Sequence, residues 1–178
     1  MAIYVHLIAR DFPKTFDTVR HSTLLSKIAK LQIDDQLYNW LVDFFSNRQH
    51  LTKHNQEKSA ILSINFSVVQ GTGMGLVMYI VNASDLHPTC PLNIMLKYAD
   101  DTYVIVPSVN SHLLHSEIQH ICNWAESNNL KLTGNVSKST EIIFTSPHFK
   151  ETKLPLPPLT RTITRLNHCT RCHCQLYF

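Results

Sequence analysis

The sequence predicts an α+β domain, an antiparallel sheet with helices packed on one face. Three observations predict it. Residues 3–10 (IYVHLIAR) form a β-branched, apolar run that stops abruptly at Asp11. Residues 92–107 (LNIMLKYADDTYVIVP) set two strand-like runs on either side of Asp100–Asp101, as a hairpin does. Stretches with apolar residues at helical spacing interleave with these runs, giving the order β-α-α-β-α-β-β-α-β. At 178 residues and 44% hydrophobic content, the chain is long enough for one domain with a sizeable core.

The elements follow in order. After Asp11, FPKTFDTVRHS reads as a tight strand-to-helix connection, because a proline and polar residues interrupt it. Ser22 is a fair N-cap for a helix carrying Leu24, Leu25, Ile28 and Leu31. Asp34 or Asp35 caps a second helix with a broad apolar stripe of Leu37, Trp40, Leu41, Phe44 and Phe45. Residues 51–60 are polar and basic, and 61–70 (ILSINFSVVQ) alternate like a strand. Three of the four glycines, Gly71, Gly73 and Gly75, then fall within five residues. Such density calls for a close backbone approach or a positive φ. Leu76–Leu86 is apolar enough for a buried helix, and HPTCP at 87–91 is a loop. The two runs of the hairpin at 92–107 read as buried on both sides. Residues 110–129 form a fourth helix, with Leu113, Leu114, Ile118, Ile121, Cys122 and Ala125 on one face and Glu117, Gln119 and Glu126 off it. Leu130–Leu132 and Glu141–Thr145 read as short strands. Trp40 and Trp124 read as core residues on helices.

Composition excludes several classes. The net charge of +3 permits a nucleic-acid partner without arguing for one. Five cysteines, three of them crowded into 169–174, make a poor disulfide framework and point to a reducing compartment. The N-terminus lacks a basic segment and a cleavage site, and no apolar run reaches the length of a membrane span. The expectation is an intracellular protein with no membrane partner, its compartment (cytoplasm or nucleus) open. His168–Cys174 invites a zinc reading, but a CxxC with no second pair is half a site.

Two acids between strands usually make a solvated turn. Asp11 changes the reading of Asp100 and Asp101. It ends the first strand, and in a split β-α-β sheet that strand is the natural neighbour of the hairpin. Three converging carboxylates repel one another unless a cation neutralises them, and hard oxygen ligands select Mg²⁺ or Mn²⁺.

Taken together, DFPKTFDTVRH at 11–21, Gln70-Gly71 with its glycine turn, and YADDT at 98–102 resemble the palm motifs of reverse transcriptases. The likeness is to those of non-LTR (LINE-type) retrotransposons. TLLSKIAKL at 23–31, YNWLVDFFSNRQ at 38–49 and NWAESNNLKL at 123–132 share it, so it spans about residues 3–146. Each motif alone is weak, and the ordered set is specific. The resemblance implies a palm-like antiparallel sheet with a ferredoxin- or RRM-like core. It implies RNA-directed DNA polymerisation, in which two Mg²⁺ or Mn²⁺ ions support transfer from a dNTP to a primer 3′-hydroxyl. The implied partners are an RNA template, a DNA primer and a dNTP; no protein partner is identifiable.

The same resemblance assigns roles. Asp11 and Asp100 would be the chief metal ligands, with Asp101 assisting and the Phe12 carbonyl completing a shell. Phe16 would lie under the incoming sugar and exclude a 2′-hydroxyl. Gln70 and Gly71 would line the nucleotide pocket. Lys138 would protonate the departing pyrophosphate. Asp17 would fix the turn through backbone hydrogen bonds.

The chain departs from the family pattern at Pro13 and Thr15, at Leu76 where proline is usual, and in a longer connection before Lys138. The expected organisation is a palm at 1–146 with a partial fingers insertion at about 46–69, a Pro-rich linker at 147–158, and an irregular, out-of-frame tail at 159–178. Fingers and thumb are expected to be missing, which leaves an enzyme inactive or weakly active in isolation. The alternative is a non-catalytic retroelement remnant that binds nucleic acid or serves only as an α+β module.

Overall fold

The β-branched run near the N-terminus forms strand β1 (Tyr4–Asp11), and the YADD region forms the hairpin of β6 (Ile94–Tyr98) and β7 (Asp101–Pro107). With β8 (Ser139–Thr145) and β9 (Ile163–Leu166) they build a five-stranded sheet in the order β6-β7-β1-β8-β9. All its pairings are antiparallel except β8 with β9, which is parallel. The computed structural model describes residues 4–12, 14–130, 139–145 and 163–166, with backbone alone at 11, 139–140 and 163–166. These residues divide into two compact units, one drawn from 1–12, 87–122 and 133–178 and the other from 13–86 and 123–132. No helix among them is long and apolar enough to cross a membrane.

In the first unit, strand alternation sorts side chains onto two faces. Tyr4, His6 and Ile8 of β1, Thr102, Val104 and Val106 of β7, and Glu141 and Ile143 of β8 are buried. A 3-10 helix (Ser108–Leu113) and the first part of α5 (Leu114–Ser127) meet this face. The Tyr4 hydroxyl donates to Ser111 Oγ at 3.1 Å, and Arg10 Nη2 donates to Cys122 Sγ at 3.1 Å. On the same face His6 Nδ1 lies 2.7 Å from Glu141 Oε1. The other face, with Val5, Leu7, Ala9, Tyr103 and Ile105, is only half-buried.

That asymmetry corrects the reading of the hairpin as buried on both sides. β6 is an edge strand, and Ile94, Leu96 and Tyr98 are 52%, 49% and 79% exposed. Their register partners Ile105, Tyr103 and Asp101 place them on the half-buried face. Strand-like periodicity names the shared face but not whether anything covers it.

Glu117 is a second correction. As a charged residue it reads as off the apolar stripe of α5, yet it is fully buried, because three residues after Leu114 and four before Ile121 it shares their helix face. Thr89 donates to it from its N–H at 2.9 Å and its hydroxyl at 2.6 Å, and Asn93 Nδ2 donates at 3.1 Å. Asn110 Nδ2 in turn bonds Asn93 Oδ1 at 2.9 Å and the Pro91 carbonyl at 2.6 Å, fixing the loop that leads into β6. Burial pushes the Glu117 carboxyl up; the hydrogen bonds of Thr89, Asn93 and Cys90 outweigh it and hold the group below the usual carboxylate range. The contribution of a group with such a depressed value is complete above the unfolded value of about 4.3 and is lost as pH falls through the folded one. Glu117→Ala is expected to cost about 3 kcal/mol in urea unfolding. Glu117→Gln is expected to flatten the acid-side decline of the urea midpoint; a decline as steep as the wild type's would show that Glu117 is not its source.

The second unit is helical. α1 (Thr15–Thr18) is a single turn in the connection after β1, and α2 (His21–Ile28), α3 (Asp35–Phe45) and α4 (Gly73–Asn82) follow. Asp34 caps α3, its side chain accepting from the Gln36 N–H at 2.8 Å. Ser22 lies inside α2, whose N-cap is Arg20, so the expected cap is two residues late. Val19, Leu24, Ile28, Leu41, Phe45, Val68, Met78 and Tyr79 form the core. Leu37 and Trp40, expected in the apolar stripe of α3, are 47% and 49% exposed, so Trp40 is not a core residue. α4 begins at Gly73 rather than near Leu76 and ends before Leu86, and its Leu76, Val77 and Ile80 are exposed. Of the alternating run at 61–70, only β5 (Leu62–Ser63) pairs as a strand, with β2 (Gln49–His50). β3 (Lys53–His54) and β4 (Glu57–Lys58) make a second small pair.

Trp124 is half-buried, and its indole N–H donates to Asp85 Oδ1 at 2.9 Å. Lys27 joins them: its ammonium donates to the Asn82 carbonyl, to Asp85 Oδ1 at 2.7 Å and to Asn128 Oδ1 at 2.6 Å. It also lies 5.3 Å from the centre of the Trp124 ring. Burial holds this lysine below the usual range against the opposing pull of Asp85. Lys27→Met is expected to lower unfolding free energy by about 2 kcal/mol, because three acceptors lose one donor; the exposed half of Asp85 limits the loss. A change below about 0.5 kcal/mol at constant urea m-value would refute it.

Four expected segments differ or lie outside the described residues. β9 falls within the tail read as irregular. Of the expected strand Leu130–Leu132, Leu130 is not in a strand and the rest is outside the described residues, as are the linker at 147–158 and the cluster His168–Cys174.

Candidate active site

The register of the sheet builds the acidic site. Asp11, the last residue of β1, pairs with Asp101, the first residue of β7. Asp101 also pairs with Tyr98, the last residue of β6. Tyr98, Asp101 and Asp11 therefore form one cross-strand row, with directly paired Cα atoms about 5 Å apart. Ala99 and Asp100 are the two residues that turn β6 into β7, and Ala99 takes φ 49°. A β-carbon in that region is strained, and such strain is retained where surrounding structure over-determines it. The turn sets Asp100 directly beside Asp101; Asp100 is half-buried and Asp101 exposed. Phe12 follows Asp11 and is 1% exposed. The first unit thus brings together Asp11, Phe12, Asp100 and Asp101 by backbone position.

After Phe12 the chain turns through Lys14, at φ 56°. The Lys14 carbonyl accepts from the Asp17 N–H at 3.0 Å and the Thr18 hydroxyl at 3.2 Å. Asp17 serves this turn through its backbone while its side chain is exposed.

Phe16, Gln70 and Gly71 belong to the second unit, where they share one piece of structure. The Val68 N–H donates to the Phe16 carbonyl and the Ser67 N–H to the Val19 carbonyl, each at 2.8 Å. The Phe16 ring lies 5.2 Å from that of Tyr79 in α4. Gln70 is exposed, and Gly71 takes φ 80°. Thr72 caps α4: its hydroxyl accepts from the Gly75 N–H at 3.0 Å and donates to the Val69 carbonyl at 2.9 Å. A β-carbon on Gly75 would lie 1.9 Å from the Val69 oxygen. The glycine run therefore supplies both a positive φ, at Gly71, and a close approach, at Gly75.

Sequence reading did not find Tyr79 or the pairing of 16–19 with 67–68; both depend on long-range contacts with no local pattern. Lys138 lies outside the described residues. Among the described side chains, which leave out that of Asp11, no group of three from His, Cys, Asp or Glu could hold a metal ion. The donor chemistry nevertheless fits a hard cation: two adjacent carboxylates in the hairpin and a third acid at the register partner of one of them.

The model of the family Reverse transcriptase (RNA-dependent DNA polymerase) matches residues 2–154. The RNA-directed DNA polymerase from mobile element jockey of Drosophila melanogaster is 31% identical over 145 residues. That alignment covers 75% of this chain and 16% of the relative, so the chain spans about a sixth of that protein's length. Two solved structures of Candida Tropicalis telomerase share the fold. One, in complex with a TWJ fragment of telomeric RNA, has a TM-score of 0.60 at 12% identity, over 79% of this chain and 26% of the other. The second, apo and truncated from its C-terminal domain, has a TM-score of 0.60 at 14% identity, over 85% and 32%. Membership of this family implies dependence on a divalent metal. Family profile and motif order agree: the chain belongs to the reverse transcriptase (RNA-dependent DNA polymerase) family, as a partial reverse transcriptase domain of the non-LTR retrotransposon type.

Proposed function

We propose that this chain carries the metal-binding palm of an RNA-directed DNA polymerase that extends a DNA primer on an RNA template from dNTPs. The observation that carries the proposal is the register Tyr98–Asp101–Asp11 with Asp100 in the adjoining turn. Asp11, Asp100 and Asp101 would hold two Mg²⁺ or Mn²⁺ ions, with the Phe12 carbonyl as a further oxygen. When bound, such ions neutralise the clustered charge, favour the alkoxide form of the 3′-hydroxyl and stabilise the leaving pyrophosphate.

The chain's own residues have separate tasks. Strand pairing on both sides of β7 holds the backbone that carries Asp101, which would limit the reorganisation that accompanies metal binding. Phe16, its ring against Tyr79, would be the wall that excludes a 2′-hydroxyl. Gly71 would let a nucleotide approach the main chain, with Gln70 beside it. Lys138 would give a proton to the pyrophosphate oxygen.

Thermal unfolding of the purified chain with Mg²⁺ or Mn²⁺, with and without dNTP, tests the proposal. A ligand that binds only the folded state raises the midpoint. Primer extension on poly(rA)/oligo(dT) is the second readout, with little or no extension expected from the chain alone. A flat thermal response together with no extension would overturn the proposal and favour a non-catalytic module.

A further inference from the structure

Behind the Gln70–Gly71 turn lies a cavity of about 280 Å³, bounded by residues from α2, α3, α4 and the segments at 64 and 67–69. Phe44, Phe45, Val68, Met74 and Met78 make its wall apolar. The polar groups nearby are largely engaged within the protein. His21 Nε2 donates to the Ser67 carbonyl at 2.8 Å while its buried Nδ1 has no hydrogen-bond partner among the described residues, and the Thr72 hydroxyl both accepts from Gly75 and donates to Val69.

Arg48 is different. It is the one lining residue whose charge is permanent at neutral pH. Its guanidinium lies 4.6 Å from the centre of the Phe44 ring, and among the described residues no carboxylate pairs with it. Stacking on an aromatic face leaves the edge of the guanidinium fork free to accept a planar anion.

We propose that this cavity is a binding site for a small aryl-alkyl carboxylate, its ring among Phe45, Val68, Met74 and Met78 and its carboxylate on Arg48. Size supports the ring: an apolar cavity of about 150 Å³ is enough to take up benzene. A single guanidinium supports a monoanion rather than a nucleotide, whose several charges require several cations. Val68, Val69 and Thr72 flank Gln70–Gly71, so an occupant would rest against the segment that holds this turn.

Methionine-methyl NMR tests the site on the whole chain, because the sequence holds only four methionines: Met1, Met74, Met78 and Met95. Met74 and Met78 line the cavity, whereas Met95 lies in β6 and serves as the reference. Titration with 3-phenylpropionate is expected to shift Met74 and Met78 saturably and to leave Met95 in place. Arg48→Gln is expected to weaken binding about tenfold, the size of one hydrogen bond to a charged group, and Arg48→Lys to recover part of it. The neutral isostere 3-phenylpropanol is expected to bind as weakly to the wild type as the acid does to Arg48→Gln. Each variant's spectrum without ligand reports whether it has folded. Absence of a saturable shift, an equal shift at Met95, or equal binding of acid and alcohol would overturn the proposal.

Discussion

Asp100→Ala is expected to abolish the stabilisation of this chain by Mg²⁺ or Mn²⁺ with dNTP while leaving the metal-free protein as stable as the wild type, or more so. Without a cation, Asp100 and Asp101 are adjacent like charges, and Asp11 is the cross-strand partner of Asp101. Removing one carboxylate relieves repulsion, and Asp100 sits in the turn rather than in a strand pair. At a hundredfold excess over the dissociation constant, a ligand adds about 2.7 kcal/mol. For a domain of this size that is a rise of roughly 5–10 °C in midpoint. Differential scanning fluorimetry with and without ion separates the two effects. If Asp100→Ala loses stability in the absence of metal and keeps the metal-dependent rise, the turn is structural and the acidic site is wrongly placed. Such a trade, in which the functional residue costs stability, is common where charge is concentrated for binding.

Gly75→Ala is the second large effect, expected to destabilise the chain by about 3 kcal/mol. The new β-carbon would sit 1.9 Å from the Val69 carbonyl oxygen and 2.9 Å from its carbon, so backbone must move rather than a side-chain tip. That movement disturbs the Thr72 cap, which bonds both Gly75 and Val69. A better helix propensity returns about 1 kcal/mol, too little to compensate. Gly73→Ala, two residues away in the same helix, is the control: nothing lies within 4 Å of its β-carbon position, so it is expected to be neutral or slightly stabilising. Equal unfolding free energies for the two variants would show that the turn does not depend on this contact.

Much of the candidate site is legible in the residues because its requirements are local. An abrupt Asp at the end of an apolar run, two acids flanked by strands, and glycines crowded into five positions each state a chemical or backbone demand. The positive φ of Gly71 and the close approach at Gly75 both answer the demand read from glycine density. Asp34 capping α3 is legible for the same reason, since a cap is decided within three residues.

Exposure was not legible. Ile94, Leu96 and Tyr98 alternate like any half-buried strand, yet β6 is at the sheet edge on its half-buried face. Glu117 reads as a surface residue because periodicity counts hydrophobicity. Its burial depends on three donors from Thr89 and Asn93, more than twenty residues earlier in the chain. Trp40 fails in the opposite direction: it keeps the helical spacing of the apolar stripe but lies half in solvent.

By itself, then, the sequence determined the family and the frame: three acids in order, a glycine turn, and a mixed α+β pattern of the reverse transcriptase kind. Only the tertiary structure decided that Asp11 is the strand partner of Asp101, that Phe16 pairs with the segment before Gln70, and which face of the sheet remains open. Composition and spacing act over a few residues. Register joins positions about ninety residues apart, and it is fixed by hydrogen bonding and burial across the whole sheet.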